Sequence, residues 1–251
     1  DLLYAGTDDG LIHISDDGGG SWRKIEVGSL PGVPKTAFVN DLRADLHDPD
    51  TVYVALDNHK YGDFNPYLLV SRNRGRSWKS IAHGIPERHL VWRMVQDHEQ
   101  ADLLFAATEF GVFASYDAGK HWQVLNAGMP TISVRDIRIQ RRENDLVAAS
   151  FGRGFFILDD YSPLRSVPDN DAAPEATLFT PRPALWYFER PVLGATRKGS
   201  QGDQLYVADN PPFGAVITYH LRDGFQTLTD QRKASEAEAL EQDKDVSFAG
   251  W

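Results

Sequence analysis

Short apolar segments recur along the first two thirds of the chain in a fixed order. An alternating segment leads each set: Phe38-Val39-Asn40-Asp41-Leu42, then Trp92-Arg93-Met94-Val95, then Val134-Arg135-Asp136-Ile137-Arg138-Ile139. Alternation with a period of two marks a strand with one buried face. A polar turn follows, and then a nearly continuous apolar run that ends in small residues. Its copies are Leu3-Tyr4-Ala5-Gly6, Val52-Tyr53-Val54-Ala55-Leu56, Leu103-Leu104-Phe105-Ala106-Ala107 and Leu146-Val147-Ala148-Ala149. Such runs suit strands covered on both faces. A third apolar segment (11–14, 68–70, 112–114, 155–157) leads into a turn, and a fourth strand starts at the tryptophan after it. Four-stranded sheets of this kind must stack on one another to cover both faces.

The turn is an eight-residue box. Ser15-Asp16-Asp17-Gly18-Gly19-Gly20-Ser21-Trp22 is matched by Ser71-Arg72-Asn73-Arg74-Gly75-Arg76-Ser77-Trp78 and Ser115-Tyr116-Asp117-Ala118-Gly119-Lys120-His121-Trp122. A decayed fourth copy, Leu158-Asp159-Asp160-Tyr161-Ser162-Pro163-Leu164-Arg165, keeps only the acid. The third-place residues Asp17, Asn73, Asp117 and Asp160 are spaced 56, 44 and 43 apart, the period of a four-stranded propeller blade with one insertion. A short carboxylate or carboxamide at the third place accepts from the open N–H groups of a tight hairpin, and the glycine two places later supplies a positive φ. The tryptophan is expected to plug the hairpin. Asn73 keeps the acceptor without the charge, so the position calls for hydrogen bonding rather than calcium. The expected structural residues are Ser15, Asp17, Gly19 and Trp22, Ser71, Asn73, Gly75 and Trp78, and Ser115, Asp117, Gly119 and Trp122.

About three and a half units are present, whereas closed propellers hold about four to eight blades. The first unit lacks its innermost strand. The chain therefore reads as the last blades of a larger ring, in contact with blades outside this sequence. After residue 167 the composition changes: 168–177 reads as a linker rich in Pro, Asp and Ala, and 178–251 as exit strands and a truncated β-domain. The acidic run 234–243 has helical propensity and no apolar face. The fold class expected is all-β: a partial β-propeller of four-stranded antiparallel blades, then the start of a small β-sandwich-like region.

Net charge is −10, from 26 basic and 36 acidic residues, which disfavours nucleic acid and anionic membrane surfaces as partners. The chain has no cysteine, which excludes disulfides, thiolate metal sites and cysteine nucleophiles. It holds no run of 18 apolar residues, so direct membrane insertion is not expected. The eight histidines show no metal-ligand spacing, and neither a metal nor a cofactor is expected.

The box resembles the Asp-box (bacterial neuraminidase) repeat shared by sialidases, xyloglucan-cleaving glycoside hydrolases and sortilin-type VPS10 receptors. The strings Val39-Asn40-Asp41-Leu42, His47-Asp48-Pro49-Asp50-Thr51-Val52-Tyr53-Val54, Asn65-Pro66-Tyr67-Leu68-Leu69 and Gly152-Arg153-Gly154-Phe155-Phe156-Ile157-Leu158-Asp159-Asp160 are similar to large exported bacterial proteins with sortilin-like propellers, often labelled glycosyl hydrolases. This resemblance covers residues 1–167. It implies an extracellular or periplasmic protein that binds a peptide or carbohydrate ligand, or a glycoside hydrolase whose catalytic pair lies partly outside this chain.

Glycosidic cleavage needs two carboxylates. Asp8, in Thr7-Asp8-Asp9-Gly10, and Glu109, in Thr108-Glu109-Phe110-Gly111, follow the second strand where the resemblance places a catalytic Asp, with Asp57 at the corresponding place between them. The competing reading is that these acids cap their turns. Asp41 and Asp136 recur on the innermost strand, either facing a ligand in the central channel or paired with Arg43, Arg135 or Arg138. Arg138, Arg141, Arg142 and Arg153 lie in one segment, which argues against a sialidase clamp. The insertion 57–67, with Asp57, His59, Tyr61 and Tyr67, is either a recognition loop or a packed lid.

Overall fold

The computed structural model describes residues 1–125, 128–167, 174–184, 186, 213–224, 226–242 and 244–245. The chain divides into two compact units, Asp1–Val167 and Pro168–Trp251. In the first, β1 (Leu3–Gly6), β2 (Leu11–Ser15) and β3 (Arg23–Glu26) form a three-stranded sheet. Two four-stranded sheets follow: β4 (Phe38–Ala44), β5 (Val52–Asn58), β6 (Asp63–Ser71) and β7 (Lys79–Ser80), then β8 (Val91–Gln96), β9 (Leu104–Thr108), β10 (Gly111–Ser115) and β11 (Gln123–Val124). A last sheet has β12 (Val134–Gln140), β13 (Asp145–Ser150) and β14 (Phe155–Leu158). Every strand pairs antiparallel with its sequence neighbour. The unit is all-β, and its sheets are propeller blades: the innermost strands β4, β8 and β12 lie side by side while the rest of each sheet leads away from them.

The continuous apolar runs have a simple explanation. In β5, Val54 and Leu56 pack with Ile12, Ile14 and Leu69, whereas Tyr53 and Ala55 pack with Met94, Leu104 and Phe113 of the next sheet. In β9, Leu104 and Ala106 face backward, and Phe105 and Ala107 face forward to Ile137, Leu146 and Ala148. Each strand is thus buried on both faces, worth about 1.5–3 kcal/mol for each large apolar side chain. The expectation is not met at the first and last sheets: β1 and β13 are only partly covered, each having a neighbouring sheet on one side among the described residues.

The three boxes share one geometry. The serine hydroxyl donates to the third-place oxygen at 2.7, 2.9 and 2.8 Å for Ser15–Asp17, Ser71–Asn73 and Ser115–Asp117. The fifth-place amides of Gly19, Gly75 and Gly119 donate to that serine, and the seventh-place amides of Ser21, Ser77 and His121 donate to the third-place oxygen. Asn73 acts through Oδ1 as an acceptor, like the two carboxylates. The fourth place is left-handed as well, at Gly18, Arg74 and Ala118. Its N–H donates to the carbonyl of Asp1, Asp50 or Asp102 just before the second strand.

The tryptophans do not all plug their own hairpins. Trp78 Nε1 donates to Gly75 O within its box, but Trp122 Nε1 donates at 2.6 Å to Ile81 O of the preceding sheet, and Trp22 is 47% exposed. The position seals a seam between sheets, and among the described residues no sheet lies on the Trp22 side of the first one. In the fourth copy Asp160 accepts from the Ser162 hydroxyl, and a 3-10 helix, Ser162–Ser166, replaces the expected fourth strand. Pro163 has no N–H for a ladder.

In the second unit, β15 (Ala176–Leu178) pairs antiparallel with β16 (Tyr219–Leu221). The strand starts inside the segment read as linker, and residues 168–173 of that segment lie outside the described residues. The strand-like run after Leu178 stops at prolines 181 and 183, and 187–188 are outside the described residues. α1 (Leu228–Glu241) starts earlier than the acidic run, capped by the Thr227 hydroxyl accepting from Asp230 N, and none of its residues is buried. No helix among the described residues is long and apolar enough to cross a membrane.

Candidate functional site

All three innermost strands carry a bulge at the same place. The register slips between Val39 and Asp41 in β4, between Val91 and Arg93 in β8, and between Val134 and Asp136 in β12. The extra residues are Asn40, Trp92 and Arg135. A bulge bends the strand and re-aims its side chains, and these three turn toward their neighbours. Asn40 Nδ2 donates to Val91 O at 3.3 Å, and Trp92 Nε1 donates to Glu109 Oε2 at 2.9 Å. The Arg135 guanidinium lies 3.6 Å from the Trp92 ring centroid and 4.9 Å from that of Phe151, with Nη2 3.8 Å from Glu109 Oε2.

Glu109 also accepts from the Ser133 hydroxyl at 3.0 Å, so residues of β8, β12 and the loop before β12 converge on its carboxylate. The row extends to β4 and β5. The His59 ring packs edge-on to Trp92 at 5.8 Å and to Phe38 at 6.2 Å, and Lys60 Nζ sits 4.5 Å over Phe38. Asp57, fully buried, accepts from the His59 amide at 2.8 Å and lies 2.6 Å from Nδ1 of its ring. A buried carboxylate next to Nδ1 places the proton there and fixes the ring's orientation. The result is a continuous strip, Phe38–His59–Trp92–Arg135–Phe151, on which Arg135 and Glu109 are the fixed charges. Phe151, at 68% exposed, opens it to solvent.

The other predicted residues divide. Asp8 is exposed and makes no side-chain hydrogen bond among the described residues, and nothing brings it to Glu109. The turns are capped by threonines that the sequence reading overlooked. The Thr7 hydroxyl accepts from Leu11 N and donates to Asp9, and the Thr108 hydroxyl accepts from Phe110 N and donates to Gly111 O. Counted from the bulge, Val39 pairs with Leu56 as Val91 pairs with Thr108, so Leu56 holds the threonine's place, and Asp57, opposite Phe38, holds that of Glu109, opposite Leu90.

The insertion is an extended hairpin in which Asn58 pairs with Asp63. Asp63 accepts from Tyr67 Oη at 2.6 Å and from Asn58 Nδ2 at 3.0 Å. Burial raises the Asp63 carboxyl, but the donors Tyr67, Asn58 and Asn65 outweigh it and hold it below the usual value. Burial and the Asp63 bond push the Tyr67 hydroxyl up to about 12. Tyr67 is therefore a hairpin brace, whereas Tyr61 stands exposed at the tip.

Asp41 and Asp136 belong to a charge ladder across the inner strands. Arg43 Nε lies 3.0 Å from Asp41, Arg93 Nη1 lies 3.1 Å from Asp41, Arg93 Nε lies 3.7 Å from Asp136, and Arg138 Nε lies 3.5 Å from Asp136. Asp41 is buried and also accepts from Met94 N, a structural placement. Of the arginines considered as its partners, Arg135 goes to the strip instead. Trp92, Ser133, Phe38 and Phe151 escaped the sequence reading as site residues, and Arg135 entered it only as a partner for Asp41 or Asp136. The only available signal was that Asn40, Trp92 and Arg135 all precede a charged residue near the start of the inner strand.

No family model and no curated protein matches the chain. Several solved β-propellers are similar to it in structure. The GH74 xyloglucanase from Xanthomonas campestris matches at 14% identity and TM-score 0.45, over 69% of this chain and 29% of that one. YCF48 from Cyanidioschyzon merolae matches at 14% identity and TM-score 0.47, over 64% and 50%. The Cps50 (Swd1) β-propeller domain of Myceliophteria thermophila matches at 14% identity and TM-score 0.48, over 69% and 53%. The aligned part of this chain spans between 29% and 53% of these structures.

Proposed function

We propose that the first unit belongs to a ligand-binding or scaffold propeller of an exported, sortilin-like protein, which recognises a peptide or glycan on the face where its inner strands begin. One observation carries this reading: Arg135 lies between Trp92 and Phe151 beside a Glu109 already oriented by Trp92 and Ser133. Polar groups fixed in advance on an aromatic surface lower the ordering cost of binding and supply orientation. A glycosidase would need a second carboxylate positioned against Glu109, and the nearest groups on Glu109 are an indole, a hydroxyl and a guanidinium.

The test is a survey of glycan and peptide libraries with the chain, repeated with Arg135→Ala and Trp92→Ala. Binding weakened by about tenfold or more in either variant, the scale of a central contact residue, supports the reading. A ligand whose affinity ignores both changes overturns it. Glycan cleavage that disappears in Glu109→Gln replaces it with the hydrolase.

A further inference from the structure

Where the strip marks the start of the inner strands, their other ends enclose a second, unrelated site. A pocket of ≈ 180 Å³ lies among Arg43, Tyr53, Gln96, Arg138 and Arg141. Small-molecule sites usually measure about 300–1,000 Å³, so this one fits a single charged group rather than a whole ligand. Its polar character is one-sided. Gln96 is already committed, with Nε2 donating to Asp45 Oδ2 and Ala101 O and Oε1 accepting from Leu46 N. Tyr53 Oη donates to Asp45 Oδ2. The groups left are guanidiniums.

The charge ladder leaves them in excess. Asp41 and Asp136 are shared among Arg43, Arg93 and Arg138. Asp41 is taken by Arg43 and Arg93 at short range, while Arg138 reaches Asp136 only at 3.5 Å and its side chain is 57% exposed. Arg141 makes no hydrogen bond or ion pair among the described residues. Three guanidiniums thus border one small pocket in a protein whose net charge is −10. Arg43 and Arg138 have Asp41 and Asp136 as counter-charges and Asp45 is held by Tyr53 and Gln96, while Arg141 has no ion pair among the described residues; planar guanidiniums match a carboxylate or phosphate through paired N–H donors. The arginines that look segregated to one segment in the sequence meet Arg43 from the second sheet only because β4 and β12 flank β8.

We propose that the pocket at the ends of β4, β8 and β12 binds an oxyanion, held by Arg138 and Arg141 with Arg43 at its edge. Its ligand is a carboxylate- or phosphate-bearing small molecule, and the site is independent of the aromatic strip.

The chain is titrated calorimetrically at low chloride with inorganic phosphate and, separately, with D-glucuronate; D-glucose is the neutral control. One saturable site for at least one anion is expected, weakened tenfold or more in the Arg138→Gln, Arg141→Gln double variant. Phosphate alone, or glucuronate alone, identifies which oxyanion the site prefers. Arg141→Gln by itself, which breaks no hydrogen bond or ion pair among the described residues, is expected to weaken binding by a smaller factor and serves if the double variant does not fold. The proposal is overturned by the absence of saturable binding with both anions, by glucose binding as well as glucuronate, or by unchanged affinity in the arginine variants.

Discussion

The Tyr161 hydroxyl donates to the Asp97 carboxylate at 2.5 Å, joining the decayed fourth box to the turn after β8. Arg165 completes the node, with Nη2 2.9 Å from Asp97 Oδ2 and Nη1 2.7 Å from Glu99. The amides of Glu99 and Gln100 also donate to Asp97. Asp97 is fully buried and the Arg165 side chain is 13% exposed. Where the fourth box lost its own hairpin chemistry, its residues came to hold the third and fourth sheets together.

Removing one partner from a buried charged network costs more than removing a neutral donor. Asp97→Asn takes from the Arg165 guanidinium its buried counter-charge, leaving only the exposed Glu99, and is expected to cost about 3–5 kcal/mol. Tyr161→Phe removes one donor and is expected to cost about 1–3 kcal/mol. Chemical denaturation of both variants checks the order; a Tyr161→Phe loss equal to that of Asp97→Asn contradicts it.

The same node sets an acid limit. Burial raises the Asp97 carboxyl, but Arg165, Tyr161 and the two amides outweigh it and hold it below its usual value. The folded value is then below the unfolded one of about 3.9. The stabilisation is complete above that pH and is lost as pH falls through the folded value. Unfolding free energy is expected to drop below about pH 4, with a shallower drop in Asp97→Asn. Equal slopes in the two proteins between pH 5 and pH 2, values chosen to bracket that range at roughly one to two units either side, would remove Asp97 from the account.

The box glycines differ in what surrounds them. A Cβ on Gly75 would sit 2.2 Å from Ile14 Cδ1 of the preceding sheet, and one on Gly119 would sit 2.9 Å from Ile81 Cδ1. On Gly19 nothing comes nearer than 3.8 Å. All three have positive φ, a strain of about 1–2 kcal/mol for alanine. Gly75→Ala and Gly119→Ala add overpacking of about 1–3 kcal/mol. Thermal unfolding should therefore rank Gly19→Ala as the mildest of the three.

The tryptophans offer a parallel comparison. Trp122→Phe leaves Ile81 O without its buried donor, a loss of about 1–3 kcal/mol, whereas Trp22→Phe is expected to change stability by less than about 0.5 kcal/mol, as at other surface positions. Denaturant midpoints for the pair decide the matter.

The blades were legible in the order of residues alone. Strand periodicity, the box and its spacing are local properties, set by alternation, turn chemistry and glycine conformation, and each reappears at its expected residues in β2, β6 and β10. Sheet stacking was legible too, because β5 and β9 have no polar face. What the tertiary structure decided is where the chemistry goes. The bulges at Asn40, Trp92 and Arg135 break the alternation by one residue, and a one-residue slip sends a side chain to the other face. Glu109 and Asp8 occupy matching places in the sequence, yet only Glu109 has Trp92, Ser133 and Arg135 around it, because the first sheet has no inner strand among the described residues to supply a counterpart of Trp92, and Phe38 and Asn40 stand where Ser133 and Arg135 do. The meeting of Arg43 with Arg138 and Arg141 depends on three strands lying side by side, a relationship between residues nearly a hundred positions apart that no local pattern encodes.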